Sequence, residues 1–239
     1  MTERDDRATQ FRRHGWRGPL AIGIASLVAA VLLGLAITYG SAGLIVAVDE
    51  AWAAVMVSVR GPAGDVFAYF MNFIGGGRVA VFLVPVGTAV ALLVARRPWA
   101  AGYFIVGSAA SAGVVQLLKN SFDRARPDDM IVASDFGSFP SGHVANAATI
   151  AVAFGVIFPR VWVWVLGAVY TVLMALSRTY LGAHWLSDTI GGALVGAGVA
   201  LVLWAAFAVP LERERHARTE RVSARKNAHA QPRATPPVR

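Results

Sequence analysis

The chain has 239 residues, 56% hydrophobic and 15% charged, with a mean hydropathy of +0.55. That is too apolar for an ordinary soluble domain, and the length suits one membrane domain. Cysteine is absent, which excludes a disulfide framework, a thiolate metal site, an iron–sulfur cluster and a cysteine nucleophile. A formal net charge of +8 would suit nucleic acid only if the bases formed a surface on a folded domain, and they lie instead at the two ends.

The first element is a basic segment, residues 1–18, with Arg4, Arg7, Arg12, Arg13 and Arg17. An apolar run over 20–40 follows and is read as an uncleaved transmembrane helix, because it is too long for the core of a cleaved signal peptide. Residues 41–78 hold Asp49-Glu50-Ala51-Trp52, an aromatic-rich stretch from Val66 to Ile74, and Gly75-Gly76-Gly77. An amphipathic interfacial helix ending in a flexible glycine hinge is expected there, either as the rim of a lipid entrance or as a structural connector.

A bilayer core needs about 20 apolar residues in helix. Five more runs approach that length, at 79–95, 99–118, 143–158, 161–177 and 186–208, with Arg96-Arg97-Pro98 and Pro159-Arg160 marking tight turns. The expected fold is all-α, an integral membrane bundle of six helices over residues 19–209. Past Pro210 the chain becomes charged and then proline-rich, and 210–239 is expected to be a disordered basic cytoplasmic tail.

An even number of spans puts both termini on one side, and the positive-inside rule makes that side the cytoplasm. On this topology sixteen arginines and lysines are cytoplasmic and six are outside: Arg60, Arg78, Lys119, Arg124, Arg126 and Arg178. Residues 119–142 and 178–186 then face outward, so a site built from them is extracytoplasmic.

Ionisable residues at membrane helices are costly and call for a task. Three blocks concentrate them: Lys119 to Arg126-Pro127, Pro140-Ser141-Gly142-His143, and Ser177-Arg178 with His184 and Asp188. Lys119, Arg126 and Arg178 supply three cations for one phosphoryl group, the arginines being suited to paired hydrogen bonds. Ser141 and Gly142 lead into a helix whose first N–H groups favour an anion. His184 and Asp188 are four residues apart on one helical face, so the carboxylate can orient the imidazole as a nucleophile. His143 is placed to protonate the leaving alkoxide and then to activate water.

Taken singly, each of these has a plainer reading as a cap, a packing residue or a snorkelling base. Together they fix eleven positions in three ordered blocks. The pattern K-x6-RP, PSGH, SR-x5-H-x3-D resembles the type 2 phosphatidic acid phosphatase superfamily, over roughly Lys119 to Asp188 for the motifs and 20–208 for the helices. The resemblance implies a six-helix bundle and metal-independent hydrolysis at the extracytoplasmic face. It implies His184 as nucleophile, Asp188 as its orienting carboxylate and His143 as general acid. Lys119, Arg126, Ser141, Gly142 and Arg178 fall on phosphate-binding positions, with Ser177 a weaker member.

Asp123, Asp128, Asp129 and Asp135 invite a magnesium site, but a solvated loop is the expectation, so no cofactor and no metal are assigned. Arg124 is left between headgroup binding and contact with lipid phosphates. The expected activity is hydrolysis of an isoprenoid or glycerolipid phosphate, such as undecaprenyl diphosphate, phosphatidylglycerol phosphate or phosphatidic acid, in a bacterial plasma membrane. The alternative is a phosphotransferase using the same histidine with an acceptor other than water. A lipid-binding or transport protein needs the cations but not an aligned nucleophile and acid.

Overall fold

The computed structural model describes residues 15–40, 43–77, 79–134 and 136–230. Expectations placed on Arg4, Arg7, Arg12, Arg13, Arg78, Asp135 and residues 231–239 lie outside the described residues. The elements are α1 (Arg17–Tyr39), α2 (Gly43–Ser58), α3 (Pro62–Gly75), a π-helical turn (Val79–Leu83) running into α4 (Val84–Val94), α5 (Pro98–Phe122), α6 (Gly142–Ile157), α7 (Val161–Tyr180) and α8 (Leu186–Ala230). No strand occurs among the described residues. Pro62 and Pro98 open their helices, where the missing N–H costs nothing. α5 stops where Asp123 turns left-handed, at φ 39°.

Helices α1, α5, α7 and α8 are each long and apolar enough to cross a membrane. α3 and the segment Val79–Val94 qualify together as a fifth span, bent by 45°. The apolar surface is turned outward: Ile22, Leu32, Val90, Val161, Leu166 and Val172 are all exposed. In water that surface would drive aggregation, and in a bilayer it is solvated by acyl chains, so the chain is a multi-pass membrane protein. The expected count of six is met by length for four or five spans. α6, with 16 residues, falls short of a full crossing.

α8 is the central post and packs on α1, α5 and α6. Small residues let it approach them closely, because van der Waals contact between backbones replaces the hydrophobic effect inside lipid. A Cβ on Gly196 would lie 2.0 Å from the carbonyl oxygen of Ala145 in α6, and one on Gly23 in α1 would lie 2.9 Å from that of Gly198. Thr149 in α6 adds a polar pin, with Oγ1 2.9 Å from Ser111 Oγ of α5 and 3.3 Å from the Gly196 carbonyl. Pins of this kind are worth roughly 0.6 kcal/mol each.

The expectation of disorder from residue 210 is corrected for residues 211–230, which continue α8 straight through Pro210. The cause lies in the packing of the first turns beyond the proline. Leu211 is buried among Leu92, Tyr103 and Phe104. Glu214 pairs with Arg97 at 3.3 Å and accepts the Trp99 backbone N–H at 2.8 Å, while Arg215 donates to the Val156 carbonyl at 3.0 Å. The extension thus closes the ends of α5 and α6.

Candidate active site

The end of α5, the start of α6, the end of α7 and the start of α8 meet at one end of the bundle, around a cavity of about 350 Å³. Lys119, Gly142, His143, Arg178 and His184 line it, together with Asn72, Gly76, Gly77 and Ser134. Arg126 reaches its edge, with Nη1 3.4 Å from His184 Nε2. The three motif blocks, spread over seventy residues of sequence, therefore share one small chamber.

The cations are aimed by backbone carbonyls and one amide. Lys119 Nζ donates to Gly137 O at 2.6 Å and Phe136 O at 3.3 Å. Arg126 donates to Gly137 O at 2.8 Å and to Ala183 O. Arg178, 1% exposed at the end of α7, donates to Asn72 Oδ1 on α3. With Lys119 and Arg178 buried and Arg126 half-buried at the edge, the positive charge at the chamber favours an anion there.

His184 lies in the α7–α8 turn, after Gly182, whose φ of +66° carries the chain against Asp129. Its Nδ1 is 2.8 Å from the Ser138 carbonyl oxygen and 3.6 Å from Asp188 Oδ2. A carbonyl accepts and never donates, so Nδ1 carries the proton and Nε2, facing Arg126, carries the lone pair. Burial pushes the imidazole down to about 4, overriding the upward pull of Asp188. The His184 ring is therefore neutral at neutral pH, with Nε2 unprotonated.

Asp188 is completely buried. Oδ2 accepts the Trp185 backbone N–H at 2.8 Å, which caps the first turn of α8, and Oδ1 accepts from Arg124 Nη1 at 2.6 Å. Arg124 faces inward; its other nitrogen reaches Asp49 Oδ2 of α2 at 2.8 Å, and its guanidinium lies over the Trp185 ring. Neither expected role for Arg124 is seen directly: its guanidinium points into the bundle and pairs with the buried carboxylates of Asp49 and Asp188.

His143 stands in the first turn of α6, and its Nε2 has no hydrogen-bond partner among the described residues, as is also true of the fully buried Ser141 Oγ. The imidazole nests against the glycines at the end of α3. A Cβ on Gly76 would sit 2.3 Å from Nε2, and one on Gly75 3.2 Å from Cδ2. The glycines expected to act as a hinge thus make room for His143. A second, largely apolar cavity of about 600 Å³ runs between the π-turn–α4 segment, α5 and α6, and it shares Gly76, Gly77, Lys119, Gly142 and His143 with the first. His143 stands at the junction of the two.

Ser177 does not reach the chamber; its hydroxyl donates to Met174 O at 3.0 Å within its own helix. Asp123 and Asp129 belong to the backbone frame, the one capping α5 and the other offering its carbonyl to Arg60 at 2.8 Å. No group of three or more His, Asp or Glu placed to hold a metal occurs among the described residues. Sequence reasoning missed Asn72, Gly76, the Ser138 carbonyl and the partnership of Asp49. The Asp49-Glu50 pair in the otherwise apolar helix α2 was a readable signal, but the sequence does not say which of the two acids is buried. A main-chain carbonyl has no signal in side-chain identity.

Comparison with known proteins places the fold and the motifs together. Residues 100–210 match the PAP2 superfamily. An undecaprenyl-diphosphatase of Sulfolobus acidocaldarius is 40% identical over 65 residues, 27% of this chain and 31% of that protein. A lipid A 1-phosphatase of Rhizobium johnstonii is 31% identical over 121 residues, 46% and 49% of the two chains. Phosphatidylglycerophosphatase B of Bacillus subtilis is 36% identical over 92 residues, 34% and 45%. The chain thus spans between 31% and 49% of the length of these relatives. Among solved structures, the PAP2 type phosphatidylglycerolphosphate phosphatase from Bacillus subtilis shares the fold with a TM-score of 0.66 at 24% identity, over 77% of this chain and 94% of that one. Aquifex aeolicus LpxE does so at 0.56 and 25% identity, over 63% and 91%.

Proposed function

We propose that the protein is a membrane lipid phosphatase that hydrolyses the terminal phosphate of an isoprenoid or glycerolipid phosphate through a phosphohistidine on His184. The observation that carries this reading is the joining of the two cavities at His143. A phosphate in the cationic chamber and a lipid chain in the apolar groove put the oxygen that links them beside His143.

In the first step His184 Nε2 attacks phosphorus, the N–P bond forms and the P–O bond to the lipid breaks. His143 gives its proton to the departing oxygen. Lys119, Arg126, Arg178 and the first N–H groups of α6 balance the charge on the equatorial oxygens, a task that positioned cations perform as well as a metal. Asp188 balances the positive charge that develops on the His184 ring. In the second step His143 takes a proton from water, whose oxygen attacks phosphorus; orthophosphate leaves and His184 is restored. The lipid product is an alcohol from a monophosphate, or a monophosphate from a diphosphate.

The names of the relatives support a lipid substrate, since they act on undecaprenyl diphosphate, lipid A and a phosphatidylglycerophosphate. The bias of arginine and lysine toward the termini and the two short turns supports cytoplasmic termini and an extracytoplasmic site in a bacterial plasma membrane, with the bent α3–α4 pair and α6 completing six spans.

The test is phosphate release by the detergent-purified protein, with EDTA present and no added acceptor, from undecaprenyl diphosphate, phosphatidylglycerol phosphate and phosphatidic acid. Release by the wild type and its loss in His184→Ala are expected. Release that needs a divalent ion, or label that passes only to a second lipid, overturns the metal-free or the hydrolytic part of the reading respectively.

A further inference from the structure

We infer that Asp49, seventy residues before the first motif, is a positioning residue for the reaction, acting through Arg124 on Asp188; the inference rests on the phosphatase reading above. Asp49 is the buried acid of α2, 2% exposed, while its neighbour Glu50 is exposed and the rest of the helix is largely apolar. Such a carboxylate is retained only where its charge is matched.

Its partners all belong to the catalytic end of the bundle. Oδ1 accepts the Ser187 backbone N–H at 2.9 Å, and Oδ2 accepts from Ser187 Oγ at 2.5 Å and from Arg124 Nη2 at 2.8 Å. Arg124 Nη1 in turn donates to Asp188 Oδ1 at 2.6 Å and to Ser187 Oγ at 2.8 Å. One guanidinium therefore sits between two buried carboxylates, and both hold the first turn of α8, from which Asp188 faces His184.

The charge count gives this arrangement its consequence. Two carboxylates around one cation leave a net negative charge, so Asp188 retains the ability to balance the positive imidazole ring formed as His184 takes the phosphoryl group. With Asp49 neutral, Arg124 belongs to Asp188 alone and cancels it. The cradle of Lys119, Arg126 and Arg178 lies on the other side of His184 and is untouched. Loss of Asp49 thus raises the barrier to phosphohistidine formation without weakening phosphate binding.

The experiment is a double-mutant cycle on the full chain in detergent, with the wild type, Asp49→Asn, Asp188→Asn and the double variant assayed on phosphatidic acid, phosphatidylglycerol phosphate and undecaprenyl diphosphate. Asp49→Asn is expected to lower kcat about ten-fold with KM within about two-fold, and to have no further effect in the Asp188→Asn background. A merely structural anchor for α2 would lower kcat by the same factor in both backgrounds, and that result, or a rise in KM alone, overturns the inference. If Asp49→Asn does not fold, Asp49→Glu and Asp49→Ser give the same decision: Glu, which keeps the charge, is expected to retain at least about five-fold more kcat than Ser, and equal loss sinks the idea. Whether the protein is a phosphatase is read separately, from wild-type phosphate release and its loss in His184→Ala.

Discussion

The Nδ1 of His184 lies closer to the Ser138 carbonyl oxygen, at 2.8 Å, than to the carboxylate of Asp188, at 3.6 Å. The backbone carbonyl therefore sets the tautomer, and the carboxylate is left to balance charge. Where a carboxylate alone fixes the tautomer, its amide variant turns the ring the wrong way and costs about 10⁴-fold. Here Asp188→Asn keeps Nδ1 protonated and is expected to lower kcat about 10²-fold, whereas His184→Ala removes the proposed nucleophile and is expected to cost at least about 10³-fold. Phosphate release from phosphatidic acid compares the two, and equal losses would assign tautomer control to Asp188.

The pH dependence follows from the depressed His184 value. Burial lowers the folded imidazole to about 4, so it stays unprotonated well below the ordinary histidine range. The acid limb of kcat/KM attributable to His184 is expected below about pH 5 rather than near 6.5. For stability the sign is the same: the unfolded chain binds the proton first, near pH 6.5, so the contribution is fully present above that value and is lost as pH falls toward 4. Melting temperatures of wild type and His184→Gln across this window check it, since the variant lacks that part of the slope.

Gly76 and Gly142 both line the chamber, but they differ in the room around them. A Cβ at Gly76 meets His143 Nε2 at 2.3 Å, while one at Gly142 meets only Val115 Cγ1 at 3.6 Å. Gly76→Ala must displace His143 and is expected to reduce kcat about 10- to 100-fold, because a general acid moved by about 1 Å loses alignment. The main obstacle is the His143 side chain, and the Asn72 carbonyl oxygen at 3.1 Å must give by a few tenths of an ångström, so a melting temperature measured beside kcat shows that the fold is kept. A Gly76→Ala enzyme with wild-type kcat would contradict the placement of His143.

The apolar groove makes a prediction that separates lipid from soluble substrates. Ala112 lines it along α5, away from the phosphate chamber. Ala112→Trp is expected to raise KM about ten-fold or more for long-chain lipid phosphates and to leave a short water-soluble phosphomonoester unchanged, because only the former needs the filled volume. Parallel loss on both substrates would place the chain elsewhere.

Much of this protein was legible in its sequence, because membrane insertion and phosphate chemistry both act through residue identity. Apolar runs report helices since backbone groups in lipid must be satisfied within the helix. Lys119, Arg126, His143, Arg178, His184 and Asp188 could be singled out because costly charges near a bilayer are kept for a purpose, and the fold gathers them at one end of the bundle. The number of crossings was less legible: α6 is too short by length alone, and α3 with Val79–Val94 is long enough only as a bent pair. Charge composition likewise does not reveal that Leu211 and Glu214, just past Pro210, have partners on α4 and at the start of α5.

Only the tertiary structure decided how the site is aimed. Asn72 on Arg178, Gly76 beneath His143, the Ser138 carbonyl on His184 and Asp49 behind Arg124 all come from segments outside the motif positions or from main-chain atoms. Sequence determines which groups can react, since reactivity belongs to the side chain. Orientation is set by whatever the fold brings within about 3 Å, and such neighbours are fixed by packing between helices rather than by spacing along one.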